Sequence, residues 1–196
     1  MCSKILRVPS ESVSCKSSKN DTPGPLASFR LRPYQKEIAV AVLDSVFSRK
    51  GLTFSVEIAR QGGKNELSAQ LELLLLTLYI TEPQNLIKCS PTFKPQTVIS
   101  MMRLKDRLDD AGYAGLWDGE QGYIVRLGWA RAIFLSADES ANVVGNTAHL
   151  LLEIDESQDV NKDKYTRMVC TQLVYLFLCP TFHHQTYRLL PLMPPK

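Results

Sequence analysis

The stretch LTFSVEIARQGGKNELSAQLELLLLTL, residues 52–78, changes its hydrophobic period in mid-course. Phe54, Val56 and Ile58 alternate with polar residues as along a strand, a period of two. After Gly62-Gly63 the pattern becomes a mostly apolar helix that begins near Lys64 and must be buried on several sides. A strand that runs through a tight glycine turn into a helix is the building unit of α/β folds. It constrains the rest of the chain more than any other segment.

The flanking sequence follows the same plan. FRLRPYQKEIAVAVLDSVFSRK places Ile38, Val42, Leu43 and Val46 on one helical face. NLIKCSPT reads as a second strand and PQTVISMMRLKDRLDDAG as a second helix after the turn. GYIVRLGWARAIFLSA reads as two strands joined around Gly128 and Trp129. AHLLLEID reads as a buried strand interrupted only by Glu153. Strands alternating with helices predict an α/β fold: a mostly parallel sheet with helices on both faces. No internal repeat is present.

With 196 residues the chain holds one domain and a tail. Its 44% hydrophobic and 22% charged content is that of a soluble globular protein. The net charge of +3 is too small to argue for nucleic acid by itself. The first 50 residues hold nine Lys/Arg against four Asp/Glu, and residues 1–28, rich in Ser, Lys and Pro, read as a flexible arm. Five cysteines form no CxxC pair, which predicts reduced thiols and an intracellular protein. The start lacks the apolar stretch of a signal peptide, and Leu71–Leu78 is too short to span a bilayer. The expected location is the cytoplasm, with no membrane partner.

Two features carry chemistry. A glycine turn before a helix presents backbone N–H groups at the helix's positive end, where they can hold phosphates, and Lys64 stands where it can reach them. Alone, such a turn is more often an ordinary helix start. The second feature is Asp155-Glu156, at the carboxyl end of the LLLEID strand, 91 residues after Lys64. One carboxylate there can hold Mg²⁺ and the other can orient an attacking water. Taken alone, this pair reads as a solvated turn. The order of the two fits a phosphate-loop ATPase with an extra central strand, its ligands at the carboxyl ends of the strands.

Four segments in this order resemble the ATPase domain of the large terminase subunit of tailed bacteriophages, over about residues 29–167. They are LRPYQKEI, ARQGGKN, SPTFKPQ and SADESANVVGNTAHLLLEIDESQ. The resemblance implies a P-loop NTPase fold of the ASCE type, hydrolysing Mg-ATP to move double-stranded DNA into proheads. It implies that Gln35 reads the adenine with Tyr34 packed beside it. Gln61, Gly62, Gly63 and Lys64 would hold the phosphates, and Arg60 would act in cis as an arginine finger. Asp155 would hold Mg²⁺ and Glu156 orient water. Asn65, where Ser or Thr usually follows the lysine, is the departure, and its amide oxygen would be the ligand to Mg²⁺ or its water. ATP and Mg²⁺ are the cofactors implied. The implied partners are double-stranded DNA, a portal protein, a small terminase subunit and further copies in a ring, in the bacterial host cytoplasm.

Residues 171–196 change character: they hold no acidic residue and no glycine, but four of the eleven prolines. Residues 29–169 are therefore read as a partial ATPase domain, incomplete at its C-terminus, and 170–196 as an atypical tail, read out of frame or spliced from elsewhere. The acidic strand is expected to be left with an open edge, and the family's nuclease domain is expected to be absent. Lys88 and Lys94 lie where they could meet a DNA backbone, whereas Met101, Met102 and Trp129 read as packing residues. Cys170, Cys179, His183 and His184 match no familiar zinc spacing. Two other readings compete: a helicase- or restriction-type DNA translocase, and a non-catalytic nucleotide-binding remnant.

Overall fold

The computed structural model describes residues 31–59, 61–138 and 146–161 with their side chains, and residues 175–181 and 188–192 as backbone. The expected flexible arm, 1–28, lies outside them. Helix α1 (Pro33–Phe47) starts with proline in its first turn, where a missing N–H costs nothing, and buries Ile38, Val42 and Val46. Strand β1 (Thr53–Ala59) leads through the glycine turn into α2 (Lys64–Leu78). Strand β2 (Asn85–Ser90) then leads into α3 (Val98–Leu108). A short β3 (Trp117–Glu120), β4 (Ile124–Leu127) and β5 (Ala130–Ser136) form an antiparallel meander. Strand β6 (Leu152–Asp155) carries the acidic end, and β7 (Tyr175–Thr181) and β8 (Arg188–Leu192) follow.

These strands form a mixed sheet in the order β3-β4-β5-β2-β6-β7-β1-β8. Its five central strands, β5, β2, β6, β7 and β1, are parallel. One expectation is corrected here. The acidic strand has no open edge, because β7 pairs in parallel with both β6 and β1, and β8 adds antiparallel to β1. The boundary placed at 169/170 therefore does not separate the sheet, which takes two strands from the segment beyond it. A strand with neighbours on both sides needs an apolar, charge-poor sequence. The β7 sequence YLFLCPT has that character, and its lack of acids suits its position in the sheet.

Alternation along the strands splits the core in two. Leu86, Ala132 and Phe134 join Leu67, Leu71, Leu75, Leu104 and the α1 residues in the larger cluster. Ile87, Cys89, Ile133, Leu152 and Ile154 form the smaller one. All three described α-helices contribute to the larger cluster and none to the smaller. Among the packing residues, Met101 is buried, but Met102 and Trp129 are exposed. No described helix is long and apolar enough to cross a membrane.

The larger cluster encloses a charged group. Lys88, read from sequence as a candidate DNA contact, is 2% exposed, so that reading is corrected; Lys94 is exposed. The Lys88 ammonium lies 2.9 Å from Glu153 Oε1 and 3.1 Å from Glu72 Oε1, and it donates to the Ser68 hydroxyl. Ser68 Oγ in turn lies within hydrogen-bond reach of both carboxylates. A buried charge survives only when paired, and here the ammonium meets both carboxylates, while Glu72 Oε2 and Glu153 Oε2 are buried without a hydrogen-bond partner among the described residues. Burial pulls the Lys88 pKa down, but attraction to Glu153, Glu72 and Asp155 outweighs it and leaves the ammonium harder to deprotonate than an ordinary lysine. Burial pushes the Glu153 carboxyl up to about 7, against the opposing pull of Lys88, with Glu72 adding to the rise.

The pH consequence has a definite sign. Between 4.5 and about 7 the folded chain holds a proton on Glu153 that the unfolded chain has lost. The stability this group contributes is full below 4.5 and is lost as the pH rises through about 7. Lys88, raised above 10.5, keeps its contribution across that window. Glu153→Gln should therefore remove a component of stability that declines with rising pH. Urea unfolding of both chains at a series of pH values would measure it. Parallel pH profiles for the two chains would contradict the assignment.

Candidate functional site

The site is built where β1 ends and α2 begins. Gln61 has φ 61° and Gly63 φ 81°, so the chain turns through two left-handed residues within three positions. Glycine is required at both following places. A Cβ on Gly62 would lie 2.8 Å from the Ala59 carbonyl oxygen and against the Ile58 side chain. A Cβ on Gly63 would lie 2.7 Å from Gln35 Nε2. Gly63 is also the N-cap of α2, and no side chain caps that helix. The first N–H groups of α2, which have no intrahelical acceptors, are thus left for an outside anion.

Tyr34 and Gln35 are tied to this turn. The Tyr34 hydroxyl donates to the Gly62 carbonyl, and Gln35 Nε2 donates to the Gly63 carbonyl at 2.9 Å. Gln35 Oε1 accepts from the Arg32 backbone N–H at 2.8 Å, and the residue is 3% exposed. Both side chains therefore brace the loop from α1. Neither lines the adjoining cleft. Arg60 lies outside the described residues.

Across the cleft, β6 ends in Asp155, and Glu156 turns away at φ 49°. The strands β1 and β6 are separated by β7, with Val56 and Asp155 both in register with Leu178. Two strand spacings are about 10 Å, which the side chain of Lys64 helps to bridge from the start of α2. Its ammonium lies 2.7 Å from Asp155 Oδ1 and also pairs with Glu156 Oε1. Asp155 Oδ1 further accepts from the Glu156 backbone N–H at 3.0 Å. Gln158 Nε2 donates to Glu156 Oε2 at 2.7 Å. The two features singled out in the sequence, 91 residues apart, thus meet in one partly buried ion cluster.

The cleft has a volume of about 920 Å³, room for a nucleotide-sized ligand. Its walls include Gln61, Gly62, Gly63, Lys64, Asn65 and Glu156. Asn65 Oδ1 is buried without a hydrogen-bond partner. An orphaned amide oxygen in the wall of a cleft is an oxygen donor of the kind a hard cation such as Mg²⁺ takes. Among the described residues no group of three or more His, Cys, Asp or Glu could hold a metal ion by itself, so such an ion would also depend on ligand oxygens and water. The sequence reading missed Gln96, Arg103 and Glu66, which also line the cleft. Gln96 ends the SPTFKPQ segment and Glu66 follows ARQGGKN directly, but Arg103 lies in no such segment. Glu66 stands in the first turn of α2, Gln96 just before α3, and Arg103 on α3, which packs against α2.

No family model matches the sequence, and no curated protein matches it significantly. A solved structure does: the crystal structure of the HK97 bacteriophage large terminase, with a TM-score of 0.60 at 17% identity. The match covers 76% of this chain and 33% of that one, so the chain spans about a third of that protein's length. The likeness is one of fold.

The loop geometry is open to test by a double-mutant cycle. Gly63→Ala combines a left-handed φ with a close approach to Gln35 and should cost about 1–2 kcal/mol of stability. Gln35→Ala removes that approach but leaves the Gly63 carbonyl without its donor, at roughly 1–3 kcal/mol. The double variant should lose less than the sum of the two, as read by chemical denaturation.

Proposed function

We propose that the chain is the ATP-hydrolysing part of a large-terminase-type motor for packaging viral double-stranded DNA. The observation that carries this reading is the Lys64 ammonium at the N-terminus of α2, held 2.7 Å from Asp155 and paired with Glu156. The strand order supports an ASCE-type P-loop NTPase, because β7 stands between the loop strand and the acidic strand. The fold likeness to a large terminase agrees with it.

In this mechanism the phosphates of ATP settle on the N–H groups of the Gln61–Asn65 turn, and Lys64 moves from the acids to the β- and γ-phosphates. Glu156, released from Lys64, orients a water and takes its proton as the oxygen attacks the terminal phosphorus. The bond to the bridging oxygen breaks, giving ADP and phosphate. Asp155 and Asn65 would hold Mg²⁺, which when bound neutralises charge on the phosphate oxygens. Arg60 adds positive charge at the γ-phosphate, as the terminase resemblance implies. In the assembled motor this cycle would move DNA through a ring of copies docked on a portal, with a small terminase subunit, in the host cytoplasm.

Lys64→Ala should lower Mg-ATP turnover at least about a hundredfold, the scale expected when a charge-stabilising group is lost from a transition state. Phosphate release by the purified chain and the variant measures this. Turnover unaffected by the substitution would refute the site. Binding of Mg-ATP with no turnover in the unaltered chain would leave a nucleotide-binding module in place of a motor.

A further inference from the structure

The described residues lining the cleft include two cations, Lys64 and Arg103, against three acids, Glu66, Glu156 and Asp159. With both cations counted the described lining is still net negative, so a polyphosphate entering the cleft needs both of them turned to it. Lys64 is shared between two carboxylates. Arg103, on α3, is held more loosely. Its one ion pair among the described residues is to Glu66 Oε2 at 3.5 Å, and its Nε is buried without a hydrogen-bond partner among them.

Glu66 does not depend on Arg103. Its Oε1 accepts from Gln70 Nε2 at 2.9 Å and lies 3.6 Å from Arg107 Nε. Arg103 can therefore leave without stranding a carboxylate. One helix turn and more upstream, Gln96 also faces the cleft. Its Oε1 is taken by the Thr92 backbone N–H at 3.1 Å and the Thr92 hydroxyl at 3.0 Å, which leaves its amide NH₂ as a donor. A guanidinium presents several N–H donors in a fixed fork that matches phosphate oxygens.

We propose that Arg103, assisted by Gln96, is a second phosphate-binding wall of this cleft, facing the glycine turn from α3. It exchanges its weak contact with Glu66 for the oxygens of a bound polyphosphate. The inference rests on the proposed nucleotide site and adds to it a residue outside both the glycine turn and the acidic strand end.

The test is equilibrium binding of two probes, Mg-ATP and inorganic tripolyphosphate, to the full chain and to its Arg103→Gln and Arg103→Lys variants. Arg103→Gln should weaken both probes about tenfold, the scale of one charge-assisted hydrogen bond. Arg103→Lys, which keeps the charge, should restore most of that loss, a rescue that a purely structural role would not show. Unaltered affinity in Arg103→Gln, or a lysine variant as weak as the glutamine one, would overturn the proposal. So would an Arg103→Gln chain that no longer folds, since Arg103 would then be a strut and not an available cation. Arginine-dependent binding of tripolyphosphate without binding of Mg-ATP would leave the wall standing and refute the nucleotide reading. Binding of neither probe by the unaltered chain would refute both.

Discussion

The buried group around Lys88 sets the position of everything that follows it. Ser68 and Glu72 stand one and two helical turns beyond Lys64 on the same face of α2. Glu153 stands two residues before Asp155, on the same face of β6. Lys88, on the neighbouring strand β2, joins Glu72 to Glu153. Against well-packed apolar replacements such a cluster adds little net stability, because desolvation offsets much of the attraction. Its geometric effect is larger. It fixes which turn of α2 lies over which residue of β6, and so brings Lys64 to Asp155 and Glu156.

That arrangement leaves Lys64 with two uses. With no anion present it neutralises the acidic strand end. With a polyphosphate held at the turn by the N–H groups of α2, as proposed, the ligand's charge would compete with Asp155 and Glu156 for it. A lysine suits this exchange, being a flexible point charge with three donors, where an arginine would lock into one planar pairing. The brace from Tyr34 and Gln35 holds the turn itself through the carbonyls of Gly62 and Gly63, independently of the Lys64 side chain.

Much of this was legible in the sequence. The period change at Gly62-Gly63 located β1 and α2, and the acidic pair after an apolar run located the end of β6. The buried cluster left a signal that the sequence reading passed over. Glu72, Lys88 and Glu153 each interrupt an otherwise apolar segment, and single charges in buried elements must find one another. The open edge expected beside the acidic strand was wrong: a lack of charge looks foreign beside an amphipathic chain, yet a strand between two others, as β7 is, calls for it. Strand β3 left no trace: WDGE has no alternation, and its pairing comes from β4. The roles of Tyr34 and Gln35 turned on contacts 28 residues away, which a motif does not carry.

The central claim is that the glycine turn and the first turn of α2 are an anion site guarded by Lys64. Amide hydrogen exchange over residues 61–67, with and without Mg-ATP, tests it most directly. The account predicts that the nucleotide slows exchange there and at the backbone of Glu156, where Lys64 changes partners. Unchanged exchange at the turn, or protection confined to other parts of the chain, would contradict it.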